Sequence, residues 1–316
     1  MTNVILWARD PEPYRRALAA AGLADRLVID AAKPAERPSP EAMARAEVLL
    51  SINPPAGVLA EMPNLKWIQS QSVGVDHWLA RPDLKPGVQL ACARGTHRVA
   101  MPENILGALF HATKPILQAA LDQRESRWVG RVSETLAGKT LGILGLGAIG
   151  VELARKAAAL EMRVIGTKRS PAPLPHVDAV FAPEAIDEVL GQSDFVVLLL
   201  PLTPQTDNLM DAARFAAMKR SAWFINFGRG ASVVDEDLVA AVRAKTIAGA
   251  ILDVYRTEPL PSTHPFWTTE GITVLPHIGG FSRDRDDIVA AAFIENVRRH
   301  LAGQPLAELV DRGRGY

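Results

Sequence analysis

The chain has 316 residues and one cysteine, its charges cancel, and no apolar run approaches the length of a membrane span. With Cys92 alone, no intrachain disulfide can form, which suits a reducing compartment. Cys92 stands in the apolar run VQLACA, where a buried strand residue is expected rather than a nucleophile. Lys plus Arg is 35 and Asp plus Glu is 35, so the sequence carries no electrostatic footprint for nucleic acid or an anionic membrane surface. A small anionic substrate stays open, because a site needs only local positive charge. The longest apolar stretch, FVVLLLPL, is far shorter than the roughly 20 residues of a transmembrane helix. The apolar run near the N-terminus is too short for a signal peptide and stops at Arg9 and Asp10, so a cytoplasmic protein is expected. The 7 histidines show no HExxH or other tight ligand spacing, so no metal is expected. Internal repeats and low-complexity segments are also missing.

What the sequence does contain is a regular alternation. Short runs rich in β-branched and apolar residues alternate with helical patterns, as in α/β proteins with parallel sheets. Strand candidates are VILWA, RLVID, VLLSI, LKWIQS and VQLACA in the first third, then TLGILG, RVIGT, FVVLLL, AWFINF, AGAILD and ITVLP. Helix candidates include 12–21 and 40–46, one long helix from about 102 to 121, and an amphipathic helix over 284–302. In the last, Val289, Phe293, Val297 and Leu301 recur every fourth residue and share a face. A chain of this length usually exceeds one core. The expectation is therefore two doubly wound parallel-sheet domains. A flavodoxin-like substrate domain takes 1–100 and, discontinuously, 282–316, and a dinucleotide-binding Rossmann domain takes 101–281.

The sharpest local motif is GLGAIG, with Gly145, Gly147 and Gly150 in GxGxxG spacing. Alone the pattern is weak, but here it follows an apolar strand and opens a helix that leads to a second strand. Gly145 allows the tight turn, Gly147 lets the backbone approach a pyrophosphate, and Gly150 allows close packing of helix on strand. Ala148 and Ile149 complete the loop at the helix start, whose N–H groups and dipole favour phosphate. The expected apolar face of that helix is Ile149, Leu153, Ala157 and Leu160. At the end of the second strand an NAD-specific fold places an acid for the ribose 2′-hydroxyl. This chain has Thr167, Lys168, Arg169 and Ser170 there. Those cations and hydroxyls suit a 2′-phosphate, so NADP(H) is preferred, with NAD(H) as a second cofactor.

Three residues downstream each follow a strand candidate: Arg229 in NFGRG, Glu258 in LDVYRTEPLP and His277 in LPHIGG. Hydride transfer to a 2-oxo acid needs a cation for the carboxylate, an acid for the ketone oxygen and a scaffold for the carbonyl carbon. The Arg229 fork suits the first, and His277 suits the second because imidazole titrates near neutrality. Glu258, bonded to His277, would favour the imidazolium. Each residue taken singly reads more readily as a surface or loop residue, and their placement after successive strands is what joins them.

The run over 193–280, with SDFVVLLLPLTPQT, MKRSAWFINFGRGASVVDEDLV, AGAILDVYRTEPLP, HPFW and LPHIGG, closely resembles the D-2-hydroxyacid dehydrogenase family. LAGKTLGILGLGAIG and LKWIQSQSVGVDHW extend the resemblance over nearly the whole chain. The closing VDRGRGY and the NPP at Asn53 look most like its glyoxylate/hydroxypyruvate reductase branch. The resemblance implies that Arg229, Glu258 and His277 are the catalytic triad. It implies that the backbone of Val73 and Gly74 meets the substrate carboxylate, together with Arg229. Leu200, Pro201 and Thr206 would line the adenine side, and Phe227 and Gly228 the nicotinamide. Asp253 and a backbone group of Gly279 would bond the carboxamide. It also implies D stereochemistry and a homodimer through the nucleotide domains, with Trp128 in the segment that can reach a partner. Lys168 and Ile52 depart from the pattern, at the ribose and at a substrate-mouth tryptophan respectively. Retention of Glu258 argues against the formate dehydrogenase relatives. The alternative is a dinucleotide-sensing corepressor-like module without significant turnover.

Overall fold

The computed structural model describes residues 1–316, which divide into two compact units, Met1–His97 with Ser282–Tyr316, and Arg98–Phe281.

The first unit begins with β1 (Thr2–Trp7), α1 (Glu12–Ala20), β2 (Leu27–Ala32), α2 (Pro40–Arg45) and β3 (Val48–Ser51). It continues with β4 (Trp67–Ser70), α3 (Asp76–Leu79) and β5 (Gln89–Ala91). These strands form a parallel sheet in the order β2-β1-β3-β4-β5. Every residue of β3 and β4 is buried, because helices cover both faces of a parallel sheet and leave no wet side to alternate with. Successive residues of β1 still divide between two cores. Ile5 and Trp7 pack with Met43 and Trp78, and Val4 and Leu6 pack with Tyr14 and Leu18.

The second unit opens with α4 (Ala100–Thr113) and α5 (Ile116–Arg124), where the sequence pattern predicts one helix. Pro115 makes the break. The residue before a proline is pushed out of the helical region, and Lys114 is extended at φ −114° and ψ 131°. Then come β6 (Thr140–Leu144), α6 (Ala148–Ala158), β7 (Arg163–Thr167), β8 (Ala179–Phe181), α7 (Ile186–Gln192) and β9 (Phe195–Leu198). The unit ends with α8 (Ala212–Ala217), β10 (Trp223–Asn226), α9 (Asp235–Arg243), β11 (Gly249–Leu252) and β12 (Ile272–Val274). The parallel sheet runs β12-β11-β10-β9-β6-β7-β8, so the order reverses between β6 and β9. Such a reversal leaves a crevice at the carboxyl ends of those strands, where ligands of doubly wound sheets bind. The edge strand β8 was not among the strand candidates. It is three half-buried residues, too short for any periodicity to register.

The helix after the glycine loop buries Gly150, Leu153, Ala154 and Ala157. Leu153 and Ala157 lie on the expected face, but Ile149 and Leu160 are only half-buried, and Gly150 and Ala154 take their place. The last helix, α10 (Arg285–Leu301), belongs to the first unit. Val289, Phe293 and Val297 on its inner face join the cluster of Tyr14 and Leu18, and Leu301 packs at its margin.

Candidate active site

The site is built on strand ends of the second unit. After β6 the chain turns at Gly145, whose φ of +113° is open to glycine and strained for other residues. A Cβ on Gly150 would fall 2.4 Å from the Gly145 carbonyl oxygen, so helix α6 meets the turn only because Gly150 has none. Gly147 differs. Nothing lies within 4 Å of where its Cβ would be, and it is exposed at the N-cap of α6 with no side-chain cap. The free first-turn N–H groups and the open face above Gly147 fit a dinucleotide pyrophosphate. Ala148 is exposed and Ile149 half-buried at the same helix start.

At the end of β7, Thr167 is 4% exposed and lies within the sheet, so its hydroxyl does not join the outer group. Lys168 bends back, and its Nζ donates to the Leu146 carbonyl at 3.0 Å, tying it to the glycine loop. Arg169 and Ser170 are exposed beside it. After β9, Leu200 and Pro201 are half-buried. The Thr206 hydroxyl donates to the Pro201 carbonyl at 2.6 Å and accepts from the Thr203 N–H at 2.8 Å, so it shapes this loop from within. Phe227 is buried, and Gly228 sits where a Cβ would meet the Leu200 carbonyl oxygen at 2.9 Å.

Three charged groups follow β10, β11 and β12. Asp253 is 1% exposed, and its two carboxylate oxygens accept the N–H groups of Ile278 at 2.7 Å and Gly279 at 2.8 Å. Burial pushes this carboxyl above its ordinary range, and the two N–H bonds oppose that shift. Each oxygen keeps a second lone pair for a ligand amide. A Cβ on Gly279 would come 2.5 Å from the Phe227 ring and 2.6 Å from the Asp253 carboxylate, so only glycine fits.

His277 Nδ1 lies 2.6 Å from Glu258 Oε2, and Glu258 Oε1 accepts the Tyr255 N–H at 2.9 Å. With both oxygens engaged, Glu258 is oriented. It can accept only if Nδ1 carries a proton, which leaves Nε2 as the atom that gains and loses the second proton. The hydrogen bond that His277 donates to Glu258 raises the His277 pKa above its ordinary value, burial opposes it, the Glu258 and Asp253 charges add to it, and Arg229 works against it. For Glu258, burial pushes upward, but the His277 and Tyr255 hydrogen bonds and the His277 and Arg229 charges bring the carboxyl below its usual range. Arg229 therefore acts by charge on both partners. It is half-buried, and its Nη1 donates to the Gly228 carbonyl at 2.8 Å. His277 itself has φ +52°, a left-handed geometry costly for a non-glycine residue and concentrated at functional sites.

Val73 and Gly74 lie in the first unit, half-buried in the loop that joins β4 to α3. Ile52, 41% exposed, follows β3. Sequence reasoning missed Asn104, whose Nδ2 donates from α4 to the Gly279 carbonyl at 3.0 Å and holds the 278–279 turn opposite Asp253. It also missed Tyr255 and Arg256. No local pattern marks these residues, since their partners lie on other strands. No group of three or more His, Cys, Asp or Glu side chains is placed to hold a metal ion.

Residues 106–279 match the profile of the D-isomer specific 2-hydroxyacid dehydrogenase NAD binding domain, more than half of the chain. The chain belongs to this family. A glyoxylate/hydroxypyruvate reductase A of Yersinia enterocolitica is 30% identical over 277 residues, 86% of this chain and 88% of the relative. The human glyoxylate reductase/hydroxypyruvate reductase is 32% identical over 251 residues, 77% of this chain and 76% of the relative. Among solved structures, a D-isomer specific 2-hydroxyacid dehydrogenase of Xanthobacter autotrophicus Py2, in complex with NADPH and MES, superposes with a TM-score of 0.87 at 34% identity, covering 100% of this chain and 99% of that one. An NADPH-dependent glyoxylate/hydroxypyruvate reductase of Sinorhizobium meliloti, in complex with NADP and sulfate, gives 0.86 at 30% identity and covers 100% of both chains. As a D-isomer specific 2-hydroxyacid dehydrogenase, the protein is an NAD(P)-dependent oxidoreductase, with two parallel α/β sheets as expected from its sequence.

Proposed function

We propose that this dehydrogenase reduces a small 2-oxo acid of the glyoxylate or hydroxypyruvate type to its D-2-hydroxy acid, with NADPH preferred and NADH used less well. The observation that carries the reading is the 2.6 Å contact between His277 and Glu258 at the end of β12, with Arg229 acting electrostatically on both. The nicotinamide, when bound, supplies the hydride. Arg229 grips the substrate carboxylate through two N–H groups and polarises the neighbouring ketone. His277, kept cationic by Glu258, donates its Nε2 proton to the ketone oxygen as that oxygen gains electron density. In the reverse direction neutral His277 takes the hydroxyl proton. Gly145, Gly147, Ala148, Ile149 and Gly150 receive the pyrophosphate, and Leu200, Pro201 and Thr206 border the adenine. Phe227, Gly228, Asp253 and Gly279 seat the nicotinamide.

The test is a panel of glyoxylate, hydroxypyruvate and pyruvate with NADPH and NADH, followed at the reduced-nicotinamide absorbance. Turnover is expected, fastest with NADPH. Tight dinucleotide binding without turnover on any of the three would favour the sensor alternative. Lys168, Arg169 and Ser170 are assigned to the 2′-phosphate because no carboxylate stands at that strand end to repel it. Lys168→Asp with Arg169→Ala is expected to shift the ratio of kcat/KM from NADPH toward NADH by about tenfold or more, as for loss of one charge-assisted hydrogen bond. An unchanged ratio would place recognition of the ribose elsewhere.

A homodimer belongs to the same reading. Ile116, Leu117 and Leu121 on α5 are exposed, and Trp128 and Val132 just after it are 101% and 97% exposed. An apolar surface of this kind calls for a partner, and a second copy covering it matches the assembly implied by the family resemblance. Sedimentation is expected to give a dimer that Trp128→Glu with Val132→Glu weakens; an unaltered dimer would assign the interface to another face. A cytoplasmic location is proposed on the single, free Cys92. No helix is long and apolar enough to cross a membrane.

A further inference from the structure

Arg229, Glu258 and His277 follow three adjacent strands, and two consecutive residues reach from the middle strand end to both neighbours. The Tyr255 ring turns one way. Its hydroxyl, 7% exposed with the residue, lies 2.6 Å from the Leu252 carbonyl and 2.8 Å from the Leu275 carbonyl. Leu275 stands at the end of β12, and its carbonyl also accepts the His277 N–H at 3.0 Å, so the hydroxyl and the His277 backbone share one anchor. Arg256 turns the other way. Its Nη2 reaches the Val233 carbonyl at 2.7 Å, the Ala231 carbonyl at 3.1 Å and Asn208 Oδ1 at 2.6 Å, while Nη1 stands 3.7 Å from Asp207. Ala231 and Val233 belong to the turn that begins at Arg229. That turn lies directly on the middle segment, because a Cβ on Gly230 would fall 1.9 Å from the Tyr255 carbonyl carbon. The same segment carries Glu258, which is bound to the Tyr255 N–H.

We propose that Tyr255 and Arg256 form a two-way brace of positioning residues that fixes the spacing of Arg229, Glu258 and His277 across the ends of β10, β11 and β12. This rests on the reductase reading for its effect on turnover. Neither residue touches the reacting atoms in that reading. Arg256 ties the Arg229 turn to the Glu258 segment, and Tyr255 ties that segment to the His277 turn. One nitrogen, Nη2, meets acceptors from two loops, and the long side chain carries it there from the β11 end. The charges that act most on His277 are those of Glu258, Asp253 and Arg229.

The experiment compares Arg256→Met and Tyr255→Phe with the parent, measuring kcat and KM for glyoxylate, NADPH affinity by fluorescence, and the titration midpoint of the His277 ring by NMR. A displacement of about 1 Å in a reacting group can cost about a hundredfold in rate. Arg256→Met is therefore expected to lower kcat by about tenfold or more, to leave NADPH affinity within about twofold, and to move the His277 midpoint down as Glu258 loses its fixed place. Tyr255→Phe is expected to act in the same direction and more weakly. An unchanged His277 midpoint in Arg256→Met overturns the brace, whatever happens to turnover. If Arg256→Met does not fold, Arg256→Gln, which falls short of the Val233 and Ala231 carbonyls, is decided by the same midpoint. If the parent turns over no 2-oxo acid, the reductase reading fails while the NMR measurement still judges the brace.

Discussion

His277→Ala is expected to lower kcat for 2-oxo acid reduction by roughly two orders of magnitude or more, the usual contribution of a general acid, with NADPH affinity little changed. Near-normal turnover would remove His277 from the chemistry. The pH dependence makes the expectation sharper. Because the hydrogen bond to Glu258 raises the His277 pKa above its ordinary value, the proton needed for reduction is held to higher pH than on a free imidazole. Reduction should hold a plateau at low pH and fall as pH rises through the raised value, while alcohol oxidation should rise over the same interval. Glu258→Gln removes the acceptor charge, so both profiles should move to lower pH. A profile unmoved by that change would show that the carboxylate does not set the His277 proton. Stability carries the matching signature. The contribution of His277 is complete below its unfolded pKa and is lost as pH rises through the folded value. That of Glu258 is present above its unfolded pKa and is lost as pH falls through its depressed folded value. The pair therefore adds most to stability between those limits.

Arg229→Ala is expected to reduce kcat/KM for the 2-oxo acid by about a hundredfold or more and to leave NADPH affinity within a few-fold. A hydrogen bond to a charged group contributes roughly 1.5–3 kcal/mol, and a bidentate carboxylate pair has two of them. Arg229→Lys should recover little, because an ammonium cannot reproduce the planar fork. Arg229 also lowers the His277 pKa by its charge, so its removal should raise the His277 titration midpoint even as substrate use collapses. Parallel loss of substrate use and NADPH affinity would reassign Arg229 to the cofactor or to the fold. The opposite midpoint shifts expected for Arg229→Ala and Arg256→Met separate direct electrostatics from positioning.

Much of this molecule was readable in order along the chain, and the reason is the range over which each signal acts. Strand and helix periods repeat within a few residues, so eleven of the twelve strands and the final helix could be placed before any contact was known. The glycine spacing is legible for the same reason, since Gly145 and Gly150 meet within one turn of chain. Burial of Gly150 and Ala154 rather than Ile149 depends on which side of α6 meets the sheet, which periodicity alone leaves open. The three residues of β8 register only as an edge beside β7. Pro115 is visible as a letter, but whether it kinks a helix or ends it depends on the packing around it.

By itself, the amino-acid order determined the α/β class, the phosphate loop and which Arg, Glu and His end up beyond strand ends, because these follow from local stereochemistry. Tertiary structure alone decided that Glu258 comes within 2.6 Å of His277, that Asp253 seizes the 278–279 turn, and that Asn104 and Arg256 pin loops far from them in sequence. Parallel strands require long crossovers, so side chains that meet at their ends are separated by tens of residues, a distance over which no local pattern in the chain survives.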